Sequence, residues 1–187
     1  MRIVDLTRDR HDHLAQAADL LHKRFVGTGS AAWQTPEAAR LEVEESLDED
    51  RISRVVVDAN DVVVGWIGGI RAYDGHAWEL HPLVVRSDQR RRGIGRALVR
   101  DLDDQVRRRG GTTIFLGTDD ENCRTSVGGV DLYPDVLGAL QRIRNRDDHP
   151  FTFYEKVGFV IVGAIPDANG FGKPDIFMAK RVTGQRG

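Results

Sequence analysis

Cysteine is almost absent: Cys123 stands alone among 187 residues. One thiol cannot close an internal disulfide, so the fold rests on its core, as suits a reducing compartment. Long apolar runs are missing too. None reaches the roughly 20 residues needed to span a bilayer. The opening MRIVDLTRDRHDH is charged throughout and carries no apolar signal segment. Neither charge sign dominates: 27 basic against 29 acidic side chains leave a formal net charge of −2. No global field therefore draws the chain to nucleic acid or to an anionic membrane. Internal repeats, low-complexity tracts and linkers are also lacking. These absences point to a cytoplasmic, soluble chain with one domain over 1–187, long enough to bury a core without staples. No metal is expected.

What is present reads as mixed α/β. RIVDL (2–6) is a short strand, and 12–25 carries Leu14, Ala17, Ala18, Leu21 and Phe25 at helical spacing. GTGSAAWQ (27–34) is a loop. Thr35-Pro36 opens a second helix, threonine as N-cap and proline at the first helical position. Leu41 and Leu47 give it apolar surface, and Glu42, Glu45 and Asp48 belong to an acidic face. Such a face is usually just solvated, but it could also attract a cation. Two β-rich runs meet at Asn60-Asp61, a hairpin signal. AWELHPLVVR (77–86) is a further strand in which Pro82 predicts a bulge or splay. Residues 94–109 form a strong helix, with Ile94, Leu98, Leu102 and Val106 on one face and Gly110-Gly111 at its end. TTIFLG (112–117), VIVGAI and DIFMAKRV are strands, and PFTFYEKVGF (150–159) is a short helix closed by Gly158. The polar stretch 119–149, with a helix around 135–145, is long for a compact domain and reads as functional.

Between the strand at 77–86 and the helix at 94 lies Arg90-Arg91-Arg92-Gly93-Ile94-Gly95. Free backbone N–H groups and the helix dipole converge at such a start. Gly93 and Gly95 let the backbone approach a ligand closely. Arg90, Arg91, Arg92 and Arg96 add full charge. A diphosphate cradle and a plain basic helix start are equally good readings of the loop alone. A dinucleotide Rossmann site fits less well, because Leu98 stands where the third glycine belongs. The arginines are not interleaved with aromatics, which argues against a nucleic-acid patch.

The stretch 81–99 resembles the acetyl-CoA signature of the GNAT acyltransferases, Arg/Gln-x-x-Gly-x-Gly/Ala. PLVVRS resembles that family's central strand, and FYEKVGF (153–159) its second signature. The wider pattern AWQTPEAA, GWIGG, YDG, WELHPLVV, GTDDEN, VDLYP and FYEKVGF resembles aminoglycoside 6'-N-acetyltransferases. The resemblance implies a GNAT fold, a mixed central sheet with splayed central strands flanked by helices. It implies acetyl transfer from acetyl-CoA to a primary amine, by direct attack in a ternary complex.

It also implies roles. The backbone N–H of Val85 faces the thioester carbonyl, with Leu83 and Val84 beside the pantetheine arm. The loop Arg90 to Arg96, Ile94 included, holds the pyrophosphate, and Asn122 binds the pantetheine arm. Tyr154 protonates the leaving thiolate; otherwise it is a packed aromatic. Asp119 and His81 rank together as base, with Glu79 behind. Cys123 is a bystander. A polycationic acceptor calls for an acidic, partly aromatic mouth. Candidates are Glu42, Glu45, Tyr73, Asp74, Asp120, Glu121 and Asp131, with Trp33 and Trp78 stacking on sugar rings and Trp66 in the core. The stretch 119–149 would be the substrate lid. Other readings are a GNAT enzyme for a polyamine, amino acid or protein lysine, and a non-catalytic acyl-CoA-binding module. Analogy with related enzymes suggests a homodimer.

Overall fold

A computed structural model describes residues 1–27 and 32–182. Residues 28–31 of the expected loop at 27–34 lie outside the described residues. The chain forms two compact units, Met1–Ile114 with Val182, and Phe115–Arg181.

In the first unit, strands β1 (Arg2–Asp5), β2 (Arg51–Val57), β3 (Val63–Ala72) and β4 (Ala77–Val85) pair antiparallel in that order. Helices α1 (His11–Phe25) and α2 (Pro36–Glu45) share one core with the sheet. Ala17, Ala18 and Leu21 of α1 meet Ala39 and Val43 of α2 and Val55, Trp66 and Val84 of the strands. Thr35 caps α2 by accepting a hydrogen bond from Ala38 N–H at 3.1 Å. Leu41 does not join this core. It is exposed, because the inward face of α2 falls on Ala39 and Val43.

Helix α3 (Ile94–Arg108) covers another part of the sheet. Ile94, Leu98, Leu102 and Val106 are all buried, as their four-residue spacing predicts. Each such burial contributes about 1.5–3 kcal/mol. Gly65 and Gly69 permit the approach. A Cβ at Gly65 would stand 3.0 Å from Ile94, and one at Gly69 would stand 3.0 Å from Leu102.

The β3–β4 ladder slips between Ile67 and Gly69, opposite His81 and Pro82. That is the bulge Pro82 predicts. Its consequence is a change of face. Leu80 pairs with Gly69, which faces Leu102 of α3. Past the bulge, Val85 pairs with Gly65, which also faces α3, while Val84 enters the α1 core. Even-numbered residues face α3 before the bulge and odd-numbered ones after it. One extra residue reverses the alternation.

In the second unit β5 (Thr113–Asp119, whose first residues belong to the first unit), β7 (Asp175–Arg181) and β6 (Val160–Ile165) follow in the order β5-β7-β6. Helix α4 (Val136–Gln141) is shorter than the sequence suggests and is capped by Asp135. Helix α5 (Phe151–Lys156) ends at Gly158, whose φ of 98° suits only glycine well. The stretch 119–149 is tied together internally. Thr125 bridges Asn145, and the Arg124 guanidinium donates to the carbonyls of Asp147 and Asp148.

Candidate active site

The glycine loop has the features of an anion cradle. Gly93 is the N-cap of α3 with φ 83°, and Arg91 precedes it with φ 60°. No side chain caps the helix, and its first turn holds no acidic residue. The space around Gly93 is open: a Cβ there would meet nothing within 4 Å. Arg90, Arg91, Arg92 and Arg96 are exposed and enter no ion pair among the described residues. Uncapped N–H groups, unpaired cations and an open glycine together fit a diphosphate. Ile94 is buried under Gly65, so it can offer such a ligand its backbone and not its side chain.

Arg86 N–H donates to Val64 O at 2.9 Å, which directs that amide toward β3. Strand alternation then turns the N–H of Val85, and of Leu83 two residues earlier, away from β3. The Val85 amide, the expected oxyanion donor, is thus not directed at β3. Val84 departs from expectation. Its side chain is only 2% exposed inside the α1 core, because the bulge turned it there, so only its backbone is left to flank a ligand arm.

Glu79 precedes the bulge, His81 is its first residue, and both share the face of β4 opposite α3. His81 Nε2 lies 3.7 Å from Glu42 Oε2. The Trp33 ring lies 5.2 Å from the imidazole, tilted by 50°. Burial pushes the Glu42 carboxyl up, but hydrogen bonding and charge from His81, with Arg51 and Trp33, outweigh it. The group is held below the ordinary carboxylate range. Three expected site residues from three separate segments thus meet here. Glu42 is not part of a solvated face: its side chain is 12% exposed and turned to His81.

In the second unit Asp119 is exposed at the end of β5, and its carboxylate accepts from the Asn169 amide. Its carbonyl lies 3.0 Å from His149 Nε2. The Phe151 N–H donates to His149 Nδ1 at 3.3 Å, which requires that nitrogen to be the acceptor and Nε2 the donor. His149 therefore joins the end of β5 to the start of α5, the helix that carries Tyr154. Tyr154 is half-buried, edge-on to Phe153 and Phe159. Asn122 and Cys123 are exposed.

Burial pushes the His149 imidazole down, against the pull of the Asp119 carbonyl and the nearby carboxylates. The unfolded chain then takes up this proton before the folded one does. Stability is complete above the ordinary histidine range and falls as the pH drops through it. The thermal midpoint should accordingly decline more steeply between about pH 7.5 and 5.5 in the wild type than in His149→Gln. Parallel declines would remove this role for His149.

Two expected substrate residues are placed otherwise. Trp78 is 2% exposed, packed near Gly111 with its indole N–H on Gly75 O, and cannot stack on a sugar. Asp120 is fully buried. It accepts from the N–H groups of Arg124 and Thr125 and from the Thr125 hydroxyl, a structural anchor. Trp66 is core, as expected. Tyr73 and Asp74 are exposed in a tight turn, both at positive φ. Glu45, Asp48 and Asp131 are exposed, and Glu121 is half-buried. His149, Asn145 and Asn169 escape a reading of the sequence, because their partners lie far along the chain or on the backbone.

A family model described as Acetyltransferase (GNAT) family matches residues 14–139. The solved structure of an aminoglycoside 6'-N-acetyltransferase complexed with coenzyme A is 40% identical, covers all of both chains and has a TM-score of 0.91. The aminoglycoside 6'-N-acetyltransferase from Enterococcus faecium is 41% identical, with all of both chains covered and a TM-score of 0.89. Among curated proteins, an acetyltransferase from Pectobacterium atrosepticum is 33% identical over 90 residues, 48% of this chain. The match spans 60% of that relative's length.

Proposed function

The chain belongs to the GNAT acetyltransferase family, and on that premise we propose that its acceptor is the 6'-amino group of an aminoglycoside. The observation that carries this is the full-length identity of 40% with an aminoglycoside 6'-N-acetyltransferase. Fold alone could not, since one fold serves many amines. By this reading 1–187 acts as one cytoplasmic catalytic domain, and related enzymes suggest a homodimer.

Acetyl-CoA, the family's donor, supplies a thioester activated for acyl transfer. The chain supplies orientation, charge and proton handling. The N–H groups of 91–96 and the four arginines hold the diphosphate, and Asn122 holds the pantetheine arm. The N–H of Val85 donates to the carbonyl oxygen under attack. His81 takes the proton of the acceptor amine, with Glu79 beside it and Asp119 as the competing base. The Tyr154 hydroxyl returns a proton to the departing sulfur. Trp33 and Tyr73 offer aromatic faces to the sugar. Glu45, Asp48, Asp74, Glu121 and Asp131 offer negative charge to its ammonium groups.

Thiol release from acetyl-CoA tests the acceptor directly. Neomycin carries an amine at the 6' carbon, and paromomycin carries a hydroxyl there on a similar skeleton. Rapid release with neomycin and little with paromomycin is expected. Equal release with both would move the chemistry to another amine, and no release with either would end the aminoglycoside reading.

A further inference from the structure

Glu42 differs from the other acidic residues of α2. Glu37, Glu44 and Glu45 are exposed, whereas the Glu42 side chain is 12% exposed. Its Oε2 lies 3.7 Å from His81 Nε2, and its Oε1 is buried with no hydrogen-bond partner among the described residues. The Trp33 ring packs 5.2 Å from the imidazole. Trp33 is itself wedged edge-on against Phe25 at 4.7 Å, and its carbonyl lies 3.1 Å from His22 Nδ1. A buried carboxylate is costly unless compensated, and the side chain that its Oε2 faces is the His81 imidazole. So enclosed, it is poorly placed to meet an ammonium arriving from solvent. It is well placed to act on the ring beside it.

We propose that Glu42 is a positioning residue for His81, orienting the imidazole and holding its hydrogen on Nε2, so that Nδ1 keeps the lone pair that takes the acceptor's proton. The proposal rests on the reading of His81 as base. The physical reason is electrostatic. A carboxylate facing Nε2 favours hydrogen on that nitrogen, and the neutral ring then has its acceptor on the opposite side. The anionic state this requires holds at neutral pH, since the Glu42 carboxyl stays below the ordinary carboxylate range despite its burial. The other groups facing the pair are Glu79 on the same strand and Arg51, which acts on Glu42 from β2.

Glu42→Gln keeps the size and removes the charge. Nitrogen-15 spectra of the imidazoles in the free protein should show hydrogen on His81 Nε2 in the wild type. Glu42→Gln should lose that preference, and Glu42→Asp should restore most of it. With neomycin, Glu42→Gln should lower kcat roughly ten- to hundredfold, part of the effect a positioned base supplies. KM for neomycin should change little. In a His81→Ala background the same substitution should add no further loss. A raised KM with kcat intact would show instead that Glu42 grips the acceptor, and would overturn the proposal. So would fully additive losses, or hydrogen on Nδ1 in the wild type. Thermal unfolding and coenzyme A affinity report whether each variant is folded. If Glu42→Gln does not fold, the spectra of the wild type and Glu42→Asp still decide. If the wild type acetylates no aminoglycoside, the acceptor reading fails alone, because the spectra need no substrate.

Discussion

Replacing Gly68 with alanine should destabilise the protein by about 3 kcal/mol or more and remove most of its turnover. The cause is local and steric. A Cβ at Gly68 would fall on the carbonyl oxygen of His81, well inside van der Waals contact, and within 3.3 Å of Pro82 Cδ. The obstacle is backbone, so no side-chain rotation relieves it. Either β3 and β4 separate or the bulge moves. Moving the bulge carries Glu79 and His81 off their face of β4, which is where the effect on catalysis arises. Thermal denaturation should show a midpoint lowered by roughly 10 °C, and thiol release with neomycin should fall with it. Coenzyme A affinity should fall less, because the loop at 90–96 follows the strand beyond the bulge. A Gly68→Ala protein with wild-type stability and turnover would show that the bulge is not held by this contact.

Asp120→Ala should be comparably damaging for a different reason. The carboxylate accepts bonds of 2.6 Å from the part-buried Arg124 N–H, and of 2.9 Å and 2.7 Å from the buried Thr125 N–H and hydroxyl. Alanine would leave the two Thr125 donors buried and unpaired and the Arg124 N–H partly so, a loss of about 3–5 kcal/mol. Gly128 marks how close the packing is, since a Cβ there would press on the Asp120 carboxylate. Hydrogen exchange should accelerate across 120–149 more than in β2 and β3. Asp120→Asn keeps one acceptor oxygen and should lose about half as much. If Asp120→Ala instead kept its stability and raised only KM for the acceptor, the residue would be a substrate contact after all.

Much of the first unit could be read from residue order. The face Ile94, Leu98, Leu102, Val106 identifies α3 because helix periodicity is a local property, and all four residues are buried. The Thr35-Pro36 start works for the same reason: cap and first turn are neighbours in sequence. The helix at 135–145 ends sooner than its spacing predicts, because the apolar spacing continues past Gln141 whereas the helical hydrogen bonds do not. The burial of Trp78 is not legible in sequence, because an aromatic in an alternating strand has no visible facing. Which side is core depends on what packs there.

The loop Arg90 to Arg96 lay open to a sequence reading as well, since its glycines, its charges and the helix that follows are contiguous. Asp120 shows the opposite case. Acidic residues in a polar stretch look alike in sequence, and only burial separates an anchor from a surface charge.

The sequence by itself determined most of the elements, the family and the arginine-glycine loop ahead of α3, because each depends on residues within a turn or two of one another. The tertiary structure alone decided which way β4 faces on either side of His81-Pro82. It sends Val84 into the core and leaves Glu79 and His81 on the opposite face from α3. It also brought Glu42 and Trp33 to His81. The reason is that a bulge is a property of two paired strands, and the meeting of α2 with β4 is a property of packing. Neither is encoded at any single stretch of the chain.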